Sequence, residues 1–150
     1  MDRPTHMIEF ETMLLSRHSL AARRAQRDSG LLERSAYLLL SRIRMEGPMS
    51  IRQLSEAFDL DVSTLNRQTA AMTRAGLVER IPDPDGGMAR KFRITPEGER
   101  RLDDDRDHIV RSLDKVLADW APEDLAAFAG YLKRFNTDIE RLGGRPWPRP

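Results

Sequence analysis

The chain of 150 residues has no cysteine, which removes disulfides, thiolate nucleophiles and thiol-based redox sensing from its chemistry. Long apolar runs are missing too. No stretch approaches the ~18 residues that a membrane span needs, and the opening MDRPTHMIEF lacks the basic-then-apolar layout of a signal peptide. A cytoplasmic location with no membrane partner is the expectation. Net charge is scarce: 25 Lys and Arg against 24 Asp and Glu leave +1, so a polyanion would have to be met by a local patch and not by the bulk field. His6, His18 and His108 are dispersed, with no i,i+4 His pair and no Glu-flanked zinc motif. Asp103, Asp104 and Asp105 are consecutive, so on a helix they point apart and read as a solvated face. Gly86-Gly87 lacks the strand-loop-helix frame and the Lys of a phosphate-cradling loop. No catalytic residue, metal site or cofactor is therefore expected, and a small hydrolase finds no nucleophile–base pair.

What is present is helical amphipathicity: 39% hydrophobic and 33% charged residues in a chain long enough to bury one sizeable core. No segment repeats another, which excludes solenoids. The most informative stretch runs from Asp61 to Gly76. Asp61 is an N-cap type, the next fourteen residues contain neither Gly nor Pro, and Gly76 is the residue expected just past a helix end. At about 100° per residue, Val62, Leu65, Thr69 and Met72 share one stripe and Ser63, Arg67, Ala70 and Arg74 the opposite one. No acid occurs between Val62 and Ala75, so the outer face can approach phosphate.

The flanking segments give that helix a context. A first helix is expected from about Thr5 to Ala25, with Met7, Phe10, Leu14 and Ala21 on a stripe widened by Ile8, Leu15 and Leu20, and a break at Ser29-Gly30. A helix this apolar on more than one side needs cover, which a second subunit can give. Leu31 to Met45 reads as a second helix, stopped by Glu46-Gly47-Pro48, and Met49-Ser50-Ile51 can pair with a sheet edge. Ser50 caps a third helix from Ile51 to about Phe58. LVERI and RKFRIT, joined by the Pro/Gly/Asp loop PDPDGGMA, read as a hairpin. Two short amphipathic helices followed by a hairpin make a winged helix-turn-helix. Thr95 and Pro96 open a long helix whose stripe runs through Leu102, Ile109, Leu113, Val116 and Trp120, and Ala121-Pro122 opens a last one ending at Gly143-Gly144. Met7, Met13, Tyr37 and Trp120 read as core or as the lining of an apolar ligand cavity. The ending RPWPRP is expected to be a free tail, the alternative being an arm that docks on a partner subunit.

In that order the chain resembles the MarR (multiple antibiotic resistance regulator) family of bacterial transcription factors. The likeness is carried by SIRQLSEAFDLDVSTLNRQTAAMTRAGLVERIPDPDGGMARKFRITPEG. The resemblance implies a mainly α (α+β) fold: one domain over 1–150, a winged helix-turn-helix lobe over 31–95, a helical dimerisation region from 1–30 and 96–142, and a flexible tail over 143–150. It further implies a homodimer on a pseudo-palindromic operator in double-stranded DNA, probing it as a sequence-specific regulator, in many members a repressor released by a small effector. The alternative is a winged-helix module that binds another protein. Ser63, Thr64, Asn66 and Arg67 match the family's contact positions, and residues 82–91 match its wing. The family's usual wing-tip Asp and Arg are replaced by Gly86 and Met88, which moves the expected wing contact to Arg90 and Lys91.

These residue types suit the task. Arg can meet guanine and Asn adenine with paired hydrogen bonds, each worth ~1–3 kcal/mol of discrimination, which nominates Arg67 and Asn66. Ser63 and Thr64, in the first turn, can bind phosphate. Arg74 is expected on phosphate, and Gln68 lies nearer the packing side. Arg90, Lys91 and Arg93 also read as edge charges that keep a hairpin soluble. The dimer surface implied for the terminal helices comprises Phe10, Leu14, Leu113, Val116, Trp120, Phe128, Leu132, Phe135 and Ile139.

Overall fold

The computed structural model describes residues 3–28 and 30–150, with the backbone alone at residues 20–23 and 25–28. The expectations for the Leu20 and Ala21 side chains and for Ser29 lie outside the described residues. The chain is mainly helical: α1 (Thr5–Asp28), α2 (Arg34–Glu46), α3 (Ile51–Phe58), α4 (Val62–Arg74), strands β1 (Val78–Ile81) and β2 (Lys91–Ile94), then α5 (Pro96–Val116) and α6 (Pro122–Gly143). Among the described residues no helix is long and apolar enough to cross a membrane.

Short-range chemistry explains the boundaries. Gly47, with φ at 89°, closes α2 by donating its N–H to Ile43 O at 2.8 Å. Ser50 accepts from the Gln53 N–H while the Gln53 side chain accepts from the Ser50 N–H, a reciprocal box at the start of α3. Thr95 Oγ1 accepts the Gly98 N–H at 3.0 Å, and Pro96 opens α5 where no helical donor is lost. β1 and β2 pair antiparallel from Val78 opposite Ile94 to Ile81 opposite Lys91. The edge expected to accept Met49 is the Phe92 side of this hairpin, where the two backbones exchange hydrogen bonds of 3.1 and 2.8 Å.

The core belongs to the lobe. Leu39, Leu40 and Ile43 of α2 meet Leu54 of α3, Leu65 and Met72 of α4, and Val78, Phe92 and Leu102, with Leu39, Leu40, Ile43, Leu54, Leu65 and Leu102 at 1% exposure or less. Burial of this kind contributes ~1.5–3 kcal/mol per large aliphatic side chain. The terminal helices contrast sharply: α6 has no buried residue at all, although Phe128, Leu132, Phe135 and Ile139 recur along it.

Three expectations need correction. Asp103, Asp104 and Asp105 do not form one solvated face. Consecutive helical residues point ~100° apart, so one of the three meets the packed side: Asp105 is buried and accepts the Leu32 N–H at 2.8 Å just ahead of α2. Asp103 instead pairs with Arg44, and Arg106 of the same stretch reaches Tyr37 Oη at 3.3 Å and Ser41 Oγ at 3.4 Å, so polar contacts flank the buried Leu102 along the seam between α5 and α2. Trp120 does not continue the α5 stripe. It stands past the helix end and packs on Phe128, ring centroids 5.3 Å apart. The ending RPWPRP is not a free tail: Trp147 meets Phe58 edge to face at 5.3 Å, and the Arg42 guanidinium lies 4.7 Å from its ring centre. An aromatic ring with a cation to cover has a reason to leave water that the neighbouring prolines lack.

Candidate nucleic-acid interface

Helices α3 and α4 are joined by Asp59, Leu60 and Asp61. Asp59 takes the left-handed conformation, φ 52°, one of the few non-glycine types that tolerates it. Ser55 Oγ donates to Leu60 O at 2.6 Å and ties the joint back to α3. Asp61 occupies the N-cap position in extended geometry, but its side chain makes no capping hydrogen bond; its carboxylate favours the helix start through charge alone. At the other end Gly76 (φ 76°) completes a paired closure, Leu77 N–H to Met72 O and Gly76 N–H to Thr73 O, both 3.0 Å.

Between those ends Leu65, Thr69 and Met72 face the core. Thr69 can be buried because its hydroxyl donates to Leu65 O at 2.7 Å. Val62, expected on the packing stripe, is 50% exposed, since the first residue of the helix overhangs the elements beneath it. Ser63, Arg67, Ala70 and Arg74 form an exposed ridge on the side opposite the core. Asn66 is exposed on one flank of that ridge; Thr64 and Gln68 are half-buried on the other. Gln68 and Arg67 border a groove of about 500 Å³ between α4, the start of α2 and Arg101 of α5. The ridge is therefore presented together, whereas Gln68 faces the groove. Among the described residues no carboxylate pairs with Arg67 or Arg74.

The wing is built around Asp83, which helical period and charge count do not single out. Asp83 Oδ1 accepts the Asp85 N–H at 2.9 Å and lies 3.5 Å from Lys91 Nζ, and both ion-pair side chains are only 13% exposed. A side chain at Gly87 would meet Asp83 Oδ2 at 2.3 Å, so the loop closes tightly over this carboxylate. Lys91, expected on DNA, is thus turned inward onto Asp83, because a wing that packs its own acid must pair it. An Asp two residues ahead of Asp85-Gly86 is a recognised turn-forming signal that could have nominated it. Arg93 pairs with Glu79 across the strands. Arg90 stays exposed with no carboxylate partner among the described residues, and Met88 is fully exposed at the tip.

Behind the lobe, α1 and α6 enclose an open apolar groove of about 860 Å³ lined by Met7, Ile8, Leu14, Phe128, Leu132 and Phe135. Of the residues expected at a dimer surface, Leu14 is half-buried, and Phe10, Leu113, Val116, Trp120, Phe128, Leu132, Phe135 and Ile139 are exposed. Met7, Met13, Tyr37 and Trp120 do not converge on one cavity: Met7 lines this groove, Met13 is exposed on α1, Tyr37 lies under Arg106 and Trp120 packs on Phe128. His18 borders the groove while His108 is exposed on α5. Among the described residues no cluster of His, Cys, Asp and Glu could hold a metal ion.

Comparison with known proteins points one way. The model of the MarR family matches residues 32–86. The HTH-type transcriptional regulator YxaD of Bacillus subtilis (strain 168), itself uncharacterized, is 34% identical over 133 residues, covering 89% of this chain and 93% of that protein. Among solved structures, a MarR family protein from Bacillus stearothermophilus superposes with a TM-score of 0.72 at 23% identity, covering 93% of this chain and 99% of the other. A crystal structure of MarR gives 0.75 at 22%, covering 96% and 97%. At these identities the two structures speak for the fold.

Proposed function

The chain belongs to the MarR family of DNA-binding transcriptional regulators, a family of regulators and not of enzymes, and from that premise we propose that it acts as a homodimer on a pseudo-palindromic operator, occludes a promoter in the cytoplasm, and is released by a small effector. The observation that carries this is the exposed, acid-free ridge of Ser63, Arg67 and Arg74 on α4 together with a wing whose Arg90 is exposed and has no carboxylate partner among the described residues. Arg67 and Asn66 read base edges; Ser63, Thr64, Arg74 and Arg90 hold phosphate and set the register. The exposed apolar faces of α1, α5 and α6 support the homodimer. Exposed large apolar side chains repeated along three helices, with those of α1 and α6 lining one groove, are what an interface between subunits buries. Two lobes then present their α4 helices to half-sites one helical turn apart. An effector acts by favouring a lobe spacing that no longer fits, and its whole effect is its differential affinity for the two arrangements.

The test is an electrophoretic shift of the dimer on its own upstream region against random DNA of equal length. A specific complex that weakens steeply with salt is expected. No preference for that region at any concentration where the dimer exists would sink the proposal, and a salt-tolerant complex with another protein instead would favour the interaction-module alternative.

A further inference from the structure

The last residues of the chain attach the end of α6 to the lobe, in addition to the α1–α2 link and the seam between α5 and α2. Gly144, with φ at 70°, reverses the chain after α6. Glu140, in the last turn of α6, then accepts the Trp147 N–H at 2.6 Å and Arg149 Nη1 at 2.8 Å through Oε1, and pairs with Arg149 Nη2 through Oε2. Trp147 lands on Phe58, the last residue of α3, and beneath Arg42 of α2. Arg42 is only 8% exposed, and its remaining partner is Glu46 at 2.7 Å, so the indole supplies the face that this buried cation would otherwise lack. Arg145 reaches Asp59 at 3.1 Å, at the joint that feeds α4. Pro146 and Pro148 restrict the segment before it docks, which lowers the entropy lost on docking.

We infer that residues 145–149 are a strap that fixes the angle between lobe and terminal helices, with Trp147 as a positioning residue that sets which spacing of operator half-sites the dimer accepts. The inference rests on the DNA-binding reading above. The lobe is joined to α1 ahead of α2 and to α5 at Thr95, and α5 packs on α2 through Asp105 and Asp103; Trp147 adds a hold from the far end of α6, on α2 and α3, that those contacts do not supply. One base pair added between half-sites rotates one of them by about 35° and moves it about 3.4 Å. A lobe tied also to the end of α6 resists that adjustment.

The experiment selects an operator from random DNA with the unaltered dimer, then measures binding to that operator, to versions with one base pair added or removed at the centre, and to an isolated half-site. Trp147→Ala should bind the native spacing about tenfold more weakly, the scale of one lost aromatic pair and one lost cation–ring contact. Its discrimination against the altered spacings should shrink, half-site binding should be unchanged, and Trp147→Phe should restore most of the discrimination. Arg149→Ala, which opens the Glu140 clasp without touching the core, should move the profile the same way by less, and it serves if Trp147→Ala fails to fold. An unchanged spacing profile in both Ala variants would overturn the strap, as would equal weakening on every DNA including the half-site. If the unaltered dimer selects no sequence at all, the DNA-binding reading fails first and takes the strap's role with it.

Discussion

Ala in place of Gly98 offers a direct test of how α5 is seated on the lobe, because two effects there oppose each other. Gly98 lies in the first turn of α5, and Ala is favoured over Gly in a helix by ~1 kcal/mol. Its Cβ, however, would stand 2.1 Å from Leu77 O and 2.9 Å from Ile94 Cγ1. The obstacle is backbone, and it is stapled: Leu77 O already accepts the Thr95 N–H at 3.0 Å, and Thr95 Oγ1 donates to Gly76 O at 2.6 Å. The helix must therefore lift from β1, and overpacking of a closed site costs ~1–3 kcal/mol, at the upper end when backbone is in the way. We expect Gly98→Ala to lose ~2 kcal/mol net, a fall in Tm of about 4–8 °C for a chain of this size. Thermal unfolding followed by circular dichroism at fixed protein concentration reads it. Gly130→Ala is the control. Gly130 has no atom within 4 Å of an added Cβ and lies on the side of α6 away from Phe128 and Leu132, so it should gain stability by helix propensity alone. A Gly98→Ala protein as stable as the original, or stabilised like the control, would refute the close crossing.

Three further outcomes are expected. Arg67→Ala should lose ~1–3 kcal/mol of discrimination per half-site while random DNA is bound nearly as before, measured by competition binding; equal losses on both would make Arg67 a phosphate contact. Met88→Arg places a cation at the fully exposed wing tip, and it should steepen the slope of log K against log salt by about 0.9 per wing, with no change in slope indicating that the tip stays clear of DNA. Arg149 beside Glu140, helped by the Trp147 N–H, holds the Glu140 carboxyl down at about 2 against an ordinary 4.5. A lowered folded-state value stabilises the docked tail above the ordinary value and loses that effect as pH falls from 4.5 toward 2. Trp147 emission in a Trp120→Phe background should hence be constant from pH 7 to 5 and change only below; release complete at pH 5 would show that another group holds the tail.

Much of the fold could be read from the chain because its signals are local. The Ser50 box, the Gly76 closure, the Thr95-Pro96 start and the turn-rich loop before Lys91 each depend on residues within a few positions of one another, so helix-turn-helix and wing were legible in order. The ridge of Ser63, Arg67 and Arg74 followed from helical period alone. Tertiary structure decided which charges are available. Lys91 and Arg90 are neighbours in sequence with the same charge, yet the first is held by Asp83 and the second is left exposed, a difference made by the closing of the loop. Asp105 was indistinguishable from Asp103 and Asp104 until α2 packed against α5 and offered it the Leu32 N–H. Trp147 looked solitary because its partners, Phe58 and Arg42, are far from it in the chain and reach it only once α6 has brought the tail back to the lobe. Periodicity and capping act over a turn or two of helix and so are written in the sequence; pairing of a charge or a ring depends on which distant surface arrives beside it.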